Sequence, residues 1–153
     1  MPADRSPSRS APAGFDCHDT YALAGFWAEV FECPLQPDDF PGDPEAMLLP
    51  AGGPEVLFLA VPEGKTVKNR LHLDLEPTDR TRDEEVRRLL GIGARHVTDH
   101  IRPTGAGWVV LADPEGNEFC VLRSAAEKAA ARSAAEQGQP GSRPVVTVGE
   151  TPA

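Results

Sequence analysis

The sequence predicts an α+β fold in which two copies of a β-α-β-β-β module pack around a shared cup. An internal repeat supports this fold, because Gly53-Pro54-Glu55-Val56-Leu57-Phe58-Leu59 is echoed by Gly116-Asn117-Glu118-Phe119-Cys120-Val121-Leu122. Each copy closes a predicted hairpin that follows a strand and a helix. A repeated unit of this size cannot bury its apolar face alone, so the two copies are expected to share one sheet system. The chain length of 153 residues is that of a single domain.

Composition excludes several classes of function. The net charge of −9 argues against a nucleic-acid partner and against binding to an anionic membrane surface. No apolar segment is long enough to span a bilayer, and the segment Met1–Gly14 lacks the apolar stretch of a secretory signal. The three cysteines are odd in number and have no Cys-x-x-Cys spacing. We interpret them as reduced thiols, which predicts a cytoplasmic protein.

Pro, Ser, Gly and Ala content sets the predicted domain boundaries. Residues 1–13 are predicted to form a disordered arm, since their composition cannot offset the entropy of ordering. Residues 14–123 form the predicted domain, with modules at about 14–62 and 68–123. Residues 124–153 are predicted to be a tail that is first helical and exposed, then disordered.

The first module shows clear start and stop signals. A short strand over Phe15–His18 ends at Asp19, a good N-cap for the following helix. That helix has one apolar stripe, formed by Ala22, Leu23, Phe26, Trp27, Val30 and Phe31. Strands are predicted at Met47–Leu49 and Glu55–Ala60, whereas the strand expected between Asp38 and Glu45 has only a weak signal.

The second module repeats this order with stronger signals. Leu71–Leu75 alternates apolar and polar residues, as a strand with one buried face does. Thr81 and Glu84 match a capping box that opens the second helix. Strands are predicted over Arg95–Ile101, over Trp108–Leu111 and over Glu118–Leu122.

Strand alternation assigns polar side chains to one face of each sheet. If Leu71, Leu73 and Leu75 face the helices, the side chains between them point the opposite way. The same reasoning in the other strands gives six polar candidates for the lining of the cup: Asp16, His18, His72, Asp74, Glu118 and Cys120. Two interpretations are open. The six form a metal or acid/base site, or they belong to the solvated outer face of an antiparallel sheet.

Other polar and aromatic residues carry weaker signals. Trp108 is the aromatic side chain expected to point into the cup, whereas His96 and His100 are predicted to be solvated on an edge strand. The basic connector Lys65–Arg70 could meet an anionic ligand at the rim of the cup, or could simply keep the connector in water. We favour the second role, because basic loop residues usually serve solubility.

Three segments in order resemble the glyoxalase-like branch of the vicinal oxygen chelate superfamily. They are Asp16-Cys17 ahead of a helix with Phe26-Trp27, the segment Lys68–Leu75, and Asp113-Pro114-Glu115-Gly116-Asn117-Glu118-Phe119-Cys120. The resemblance covers about residues 14–123 and implies two βαβββ modules in a U-shaped cup. The superfamily includes glyoxalase I, extradiol dioxygenases, fosfomycin-resistance transferases, epimerases and metal-free bleomycin-binding proteins.

The resemblance also implies an incomplete metal site. Metalloenzymes of the superfamily take ligands from the first and last strands of each module. His72 matches the histidine of the second module, but Cys120 stands where the glutamate is expected, with Glu118 two residues earlier on the same face. The first module has Leu57 and a position near Gly14, neither of which offers a donor. This pattern counts against glyoxalase I activity.

Two functions are therefore carried forward. The first is an enzyme acting on a small organic molecule, with His72 and Glu118 as catalytic residues and as ligands of a divalent metal such as zinc. Asp16, His18, Asp74, Trp108 and Cys120 would then contact the bound molecule. The alternative is a binding protein of the bleomycin-resistance type that sequesters a ligand without chemistry. A small molecule is the expected partner in both cases, and the chain is expected to be a monomer or a homodimer.

Overall fold

The computed structural model describes residues 12–138, so most of the predicted arm and the predicted disordered end of the tail lie outside the described residues. Seven strands are found in this range: β1 Ala13–Cys17, β2 Glu45–Leu48, β3 Val56–Ala60, β4 Asp74–Leu75, β5 Arg95–Ile101, β6 Gly107–Ala112 and β7 Glu118–Leu122. Three helices accompany them: α1 Thr20–Phe31, α2 Arg82–Gly91 and α3 Ala125–Gln137.

The strands form two mixed sheets, one in each module. The first sheet has the order β1-β3-β2 and the second the order β4-β7-β6-β5. In each sheet the first strand of the module runs parallel to the last, and the remaining pairs are antiparallel. The predicted α+β class and the internal repeat are thereby confirmed.

The first sheet differs from the predicted module by one strand. Within the described residues it has three strands, and the chain between α1 and β2 forms turns instead of the weakly predicted strand. This segment contains four prolines, which cannot donate to a strand ladder. They are Pro34, Pro37, Pro41 and Pro44. The outer edge of β2 is covered by this loop, where Asp39 Oδ2 accepts a hydrogen bond from Met47 N at 3.2 Å.

Helix α1 connects the two modules through its aromatic side chains. Asp19 is the N-cap, as predicted, and its Oδ1 accepts from Ala22 N at 3.0 Å. Trp27 is 0% exposed. Its ring lies 5.0–5.6 Å, centroid to centroid, from four phenylalanine rings: Phe15, Phe26, Phe31 and Phe119. Because Phe15 is in β1 and Phe119 is in β7, one tryptophan joins the cores of both modules.

Helix α2 is fixed at its start and along its length. The predicted capping box of Thr81 and Glu84 is present. Arg88 donates from Nη1 to Glu29 O at 2.9 Å and from Nη2 to Val30 O at 3.1 Å, so it ties α2 to the last turn of α1. Helix C-terminal carbonyls favour such cationic donors.

Helix α3 has no buried residue, yet its first turn is attached to the domain. Glu127 Oε2 accepts from Arg82 N, the first amide of α2, at 2.8 Å and from Ser124 N, the N-cap of α3, at 2.9 Å. Lys128 forms an ion pair with Glu76. One carboxylate therefore satisfies unpaired amides at the starts of two helices.

The segment before β4 departs from the predicted strand. The ladder is limited to Asp74–Leu75, preceded by a hydrogen bond from Cys120 N to Leu73 O at 2.9 Å. Leu73 and Leu75 pack against the core as expected, but Leu71 is 86% exposed and does not face the helices. The connector here is held by a side chain instead of the ladder, because Asn69 N donates to the Glu118 carboxylate. Among residues 12–138, no helix is both long and apolar enough to cross a membrane.

Candidate functional site

The candidate site lies on the free face of the second sheet, by which we mean the face opposite the helices. Cross-strand pairing aligns Asp74 with Cys120, Cys120 with Val110, and Val110 with Thr98 across all four strands. Their side chains share this face, because paired residues in a sheet point to the same side. A cavity of about 510 Å³ lies over the row.

One wall of the cavity is apolar and aromatic. Val110 and Leu122 line it beside Trp108, whose side chain is 40% exposed, as expected for a residue that faces the cavity. The His100 ring lies against that of Trp108 in a tilted arrangement, with ring centroids 5.1 Å apart and an interplanar angle of 32°.

His100 was not a sequence candidate for the site. It was predicted to be solvated, and it is exposed, but it also borders the cavity. An irregularity between His96 and Thr98 shifts the register of β5 against β6, so simple alternation does not predict which face each residue takes. The signal that could have found His100 is its cross-strand pairing with Trp108 in the β5–β6 hairpin.

The polar end of the cavity holds three groups with metal-binding atoms. One donor atom from each of His72, Asp74 and Cys120 lies within 4.8 Å of the others. His72 Nε2 is 3.3 Å from Asp74 Oδ1. Burial raises the pKa of the Cys120 thiol to about 11, and the negative charge of Asp74 adds to the effect. The sequence placed a carboxylate beside this thiol, but the structure identifies it as Asp74 instead of Glu118.

Glu118 borders the same cavity but is already engaged. Its Oε2 accepts from Asn69 N at 3.0 Å and lies 3.0 Å from Lys65 Nζ. Burial opposes ionisation, but the Asn69 amide and the Lys65 ammonium outweigh it and hold the pKa of Glu118 below its usual value. Glu118 is not among the three clustered donors, and its carboxylate forms a salt bridge with Lys65.

The six polar candidates do not share one cavity. Asp16 and His18 line a separate cavity of about 250 Å³ together with Lys65 and Glu115. His18 N donates to both carboxylate oxygens of Glu115, at 2.8 and 3.0 Å, which fixes this corner to the β6–β7 turn. Asp16 also borders a third cavity of about 230 Å³, which His72 and Glu118 line as well.

The equivalent position in the first module has no donor. Gly14 pairs with Leu57 across β1 and β3, just as Asp74 pairs with Cys120 across β4 and β7. By this register, Gly14 in the first module corresponds to Asp74 in the second. The equivalent of His72 therefore lies two residues before Gly14. The clustered donor groups therefore come from the second module alone.

Two modules of this topology, with a cavity of ligand size over one sheet, define a protein of the vicinal oxygen chelate class. The family described as "Glyoxalase-like domain" matches residues 13–122, and the chain belongs to this family. The resemblance seen in the sequence is thereby confirmed. None of the curated proteins compared with the chain matches it.

Several solved structures are similar to the chain in fold. A mutant of the fosfomycin resistance protein FosX from Listeria monocytogenes, complexed with Mn(II) and 1S,2S-dihydroxypropylphosphonic acid, has a TM-score of 0.63 at 16% identity, over 84% of this chain and 99% of that one. A glyoxalase/bleomycin resistance protein/dioxygenase family enzyme from Burkholderia phytofirmans PsJN has a TM-score of 0.56 at 20% identity, over 72% and 94%. TioX from Micromonospora sp. ML1 has a TM-score of 0.52 at 22% identity, over 76% and 98%.

Proposed function

We propose that this protein binds a small, largely apolar organic molecule in the cavity over the free face of the second sheet. The observation that carries the proposal is the cavity itself. Its volume of about 510 Å³ falls within the range of small-molecule sites, roughly 300–1,000 Å³. Its apolar wall of Trp108, Val110 and Leu122 would hold the body of the ligand, while the His72 end would orient its polar part.

Binding without chemistry is the form of this function that the contacts favour. Glu118, the carboxylate that the sequence assigned to catalysis, is held by Lys65 and Asn69. Cys120 is only 6% exposed, which limits its use as a nucleophile. The remaining candidate for proton transfer is His72, which is paired with Asp74.

Ligand binding can be tested with N-phenyl-1-naphthylamine, a neutral dye whose emission rises in apolar surroundings. We expect saturable binding of one dye per chain, and loss of binding in Leu122→Arg, which places a charged side chain in the cavity. Leu59→Arg is the matched control, because Leu59 lies on the free face of the first sheet and is already 36% exposed. Dye binding that is absent in the native protein, or unchanged in Leu122→Arg, would overturn the proposal.

A second candidate function is metal-dependent chemistry in the same cavity, favoured by the cluster of His72, Asp74 and Cys120. Imidazole, carboxylate and thiolate donors together suit zinc better than manganese, which prefers oxygen ligands. Three protein ligands would leave a coordination position open to the cavity, as in catalytic zinc sites. A bound ion there would supply a Lewis acid able to polarise an oxygen of the ligand.

The metal candidate is tested by elemental analysis and by thermal shift with zinc or manganese salts. We expect near-stoichiometric zinc and a raised melting temperature in the native protein, both lost in His72→Ala. His96→Ala is a matched control, since the exposures of His96 and Asp99, 48% and 55%, resemble those of His72 and Asp74, 43% and 52%. Equal zinc retention by His72→Ala and His96→Ala would refute the metal site.

A further inference from the structure

We propose that the cavity over the second sheet selects organic anions, with the Lys68 ammonium binding the acidic group of the ligand. The inference rests on the proposed small-molecule function and adds the chemical class of the ligand. Such a ligand has an apolar or aromatic body and one carboxylate, sulfonate or phosphonate group.

The charges around the cavity lead to this class. Of the two carboxylates that border it, Asp74 is paired with His72 at 3.3 Å and Glu118 with Lys65 at 3.0 Å. Each negative charge thus has its own cationic or hydrogen-bonding partner. A cationic ligand would have to compete with these partners for the two carboxylates.

Lys68 is the exception among the charged residues that line the cavity. Its side chain borders the cavity but forms no ion pair or hydrogen bond with any other residue in the 12–138 range. Five other basic side chains in this range form ion pairs: Lys65, Arg80, Arg82, Arg88 and Lys128. Lys68 therefore brings an unpaired positive charge to the edge of this cavity, in a protein with a net charge of −9.

The cavity combines an apolar wall with the positive charge of Lys68. The apolar wall carries the indole of Trp108 with the tilted ring of His100 beside it, and such aromatic groups suit contact with an aromatic body. Lys68 supplies a point charge on a flexible stem, which can follow acidic groups of different geometry. The wall and the ammonium border the same cavity, so one molecule of moderate size can contact both.

A matched pair of dyes tests the charge requirement directly. 8-Anilinonaphthalene-1-sulfonate carries the same fused and phenyl rings as N-phenyl-1-naphthylamine, plus one sulfonate. We expect the native protein to bind the sulfonate dye about tenfold more tightly than the neutral dye, the effect of one charge-assisted contact. We expect this preference to fall as salt is added, because the charge is partly exposed.

Substitution of Lys68 separates its ammonium from the general charge of the connector. Lys68→Gln should abolish the preference for the sulfonate dye and leave the affinity for the neutral dye unchanged. Arg70→Gln removes the same charge from the same connector, at an exposed residue outside the cavity lining, and should change neither affinity.

The outcomes distinguish this inference from the function on which it rests. Equal affinities of the native protein for both dyes, or equal losses in Lys68→Gln and Arg70→Gln, would overturn anion selection while leaving the binding function intact. That result would make Lys68 a solvated connector residue. Binding of neither dye would overturn the proposed function and this inference together.

Discussion

Replacing the buried Asp113 with alanine removes four hydrogen bonds, three within the β6–β7 turn and one that joins this turn to helix α1. Asp113 is 0% exposed. Its Oδ1 accepts from Glu115 N at 3.0 Å and Asn117 N at 2.9 Å, and its Oδ2 accepts from Trp27 Nε1 at 3.1 Å and Asn117 Nδ2 at 2.9 Å. Alanine offers no acceptor, so every one of these donors loses its partner.

The four hydrogen bonds do not contribute equally to the free energy of unfolding. Glu115 N, Asn117 N and Asn117 Nδ2 belong to a partly exposed turn where water can replace the carboxylate, so we assign about 1 kcal/mol to each bond. Trp27 Nε1 lies in the core, and leaving its N–H buried without a partner costs about 1–3 kcal/mol. Water at the turn recovers part of this sum. We therefore expect the free energy of unfolding to fall by about 3–5 kcal/mol.

Urea denaturation followed by far-UV circular dichroism measures this loss. At about 4 °C per kcal/mol for a domain of this size, the melting temperature should fall by roughly 12–20 °C. Trp27→Phe is a useful second variant, since it removes the N–H donor and keeps an aromatic ring. A double-mutant cycle between Asp113→Ala and Trp27→Phe should show coupling of about 1 kcal/mol or more.

The reasoning would be refuted if Asp113→Ala lost less than about 1 kcal/mol, the net worth of a single hydrogen bond. Purely additive effects in the cycle would show that Trp27 and Asp113 act independently. In that case the link between α1 and the β6–β7 turn would rest on aromatic packing alone.

Three further predictions concern the frame around the site. Glu127→Ala should lower the free energy of unfolding by about 1 kcal/mol, the usual cost of losing a helix cap. The loss is expected because the Glu127 carboxylate accepts a hydrogen bond from Arg82 N at the start of α2. Unchanged urea denaturation curves would show that α3 does not stabilise the domain. Gly107→Ala should lower the free energy of unfolding by about 2–4 kcal/mol. Gly107 has a φ of 121°, and a Cβ at this position would lie 1.8 Å from His100 O. An unaltered melting temperature would contradict this backbone geometry at the start of β6. Burial raises the pKa of the Cys17 thiol from 9.0 to about 12, so its contribution to stability is complete below pH 9 and is lost as pH rises toward 12. At pH 8.5 iodoacetamide should therefore label Cys17 far more slowly in the folded than in the urea-unfolded protein, as measured by mass spectrometry, and equal rates would disprove the burial.

Features that depend on neighbouring residues could be predicted from the sequence. The capping box of Thr81 and Glu84, the N-cap Asp19 and most of the buried stripe of α1 are decided within one or two helical turns. Ala22 was wrongly included in that stripe, because it lies in the first turn of α1 and is exposed. Alternation also places Asp74 and Cys120 on one face of the second sheet, and the structure pairs them across β4 and β7.

Features that depend on the path of a loop could not be predicted in this way. The connector before β4 brings Lys65 to Glu118, and no local pattern in the sequence relates these two residues. Leu71 alternates with Leu73 and Leu75 in the sequence, but it leaves the ladder because the connector is bound by the Glu118 side chain. Alternation predicts the face of a side chain only where backbone pairing continues.

The two modules share a topology but differ in the chemistry of their free faces. Strand pairing explains how a shared topology can accompany different free faces. Core-facing positions must stay apolar for either sheet to pack, and Phe58 and Phe119 are both almost fully buried. Free-face positions carry no such constraint, so Gly14 can stand in one module where Asp74 stands in the other. Substitutions on the free face of the second sheet should therefore change ligand binding with little loss of stability, whereas the first module acts by holding the second in place through Trp27.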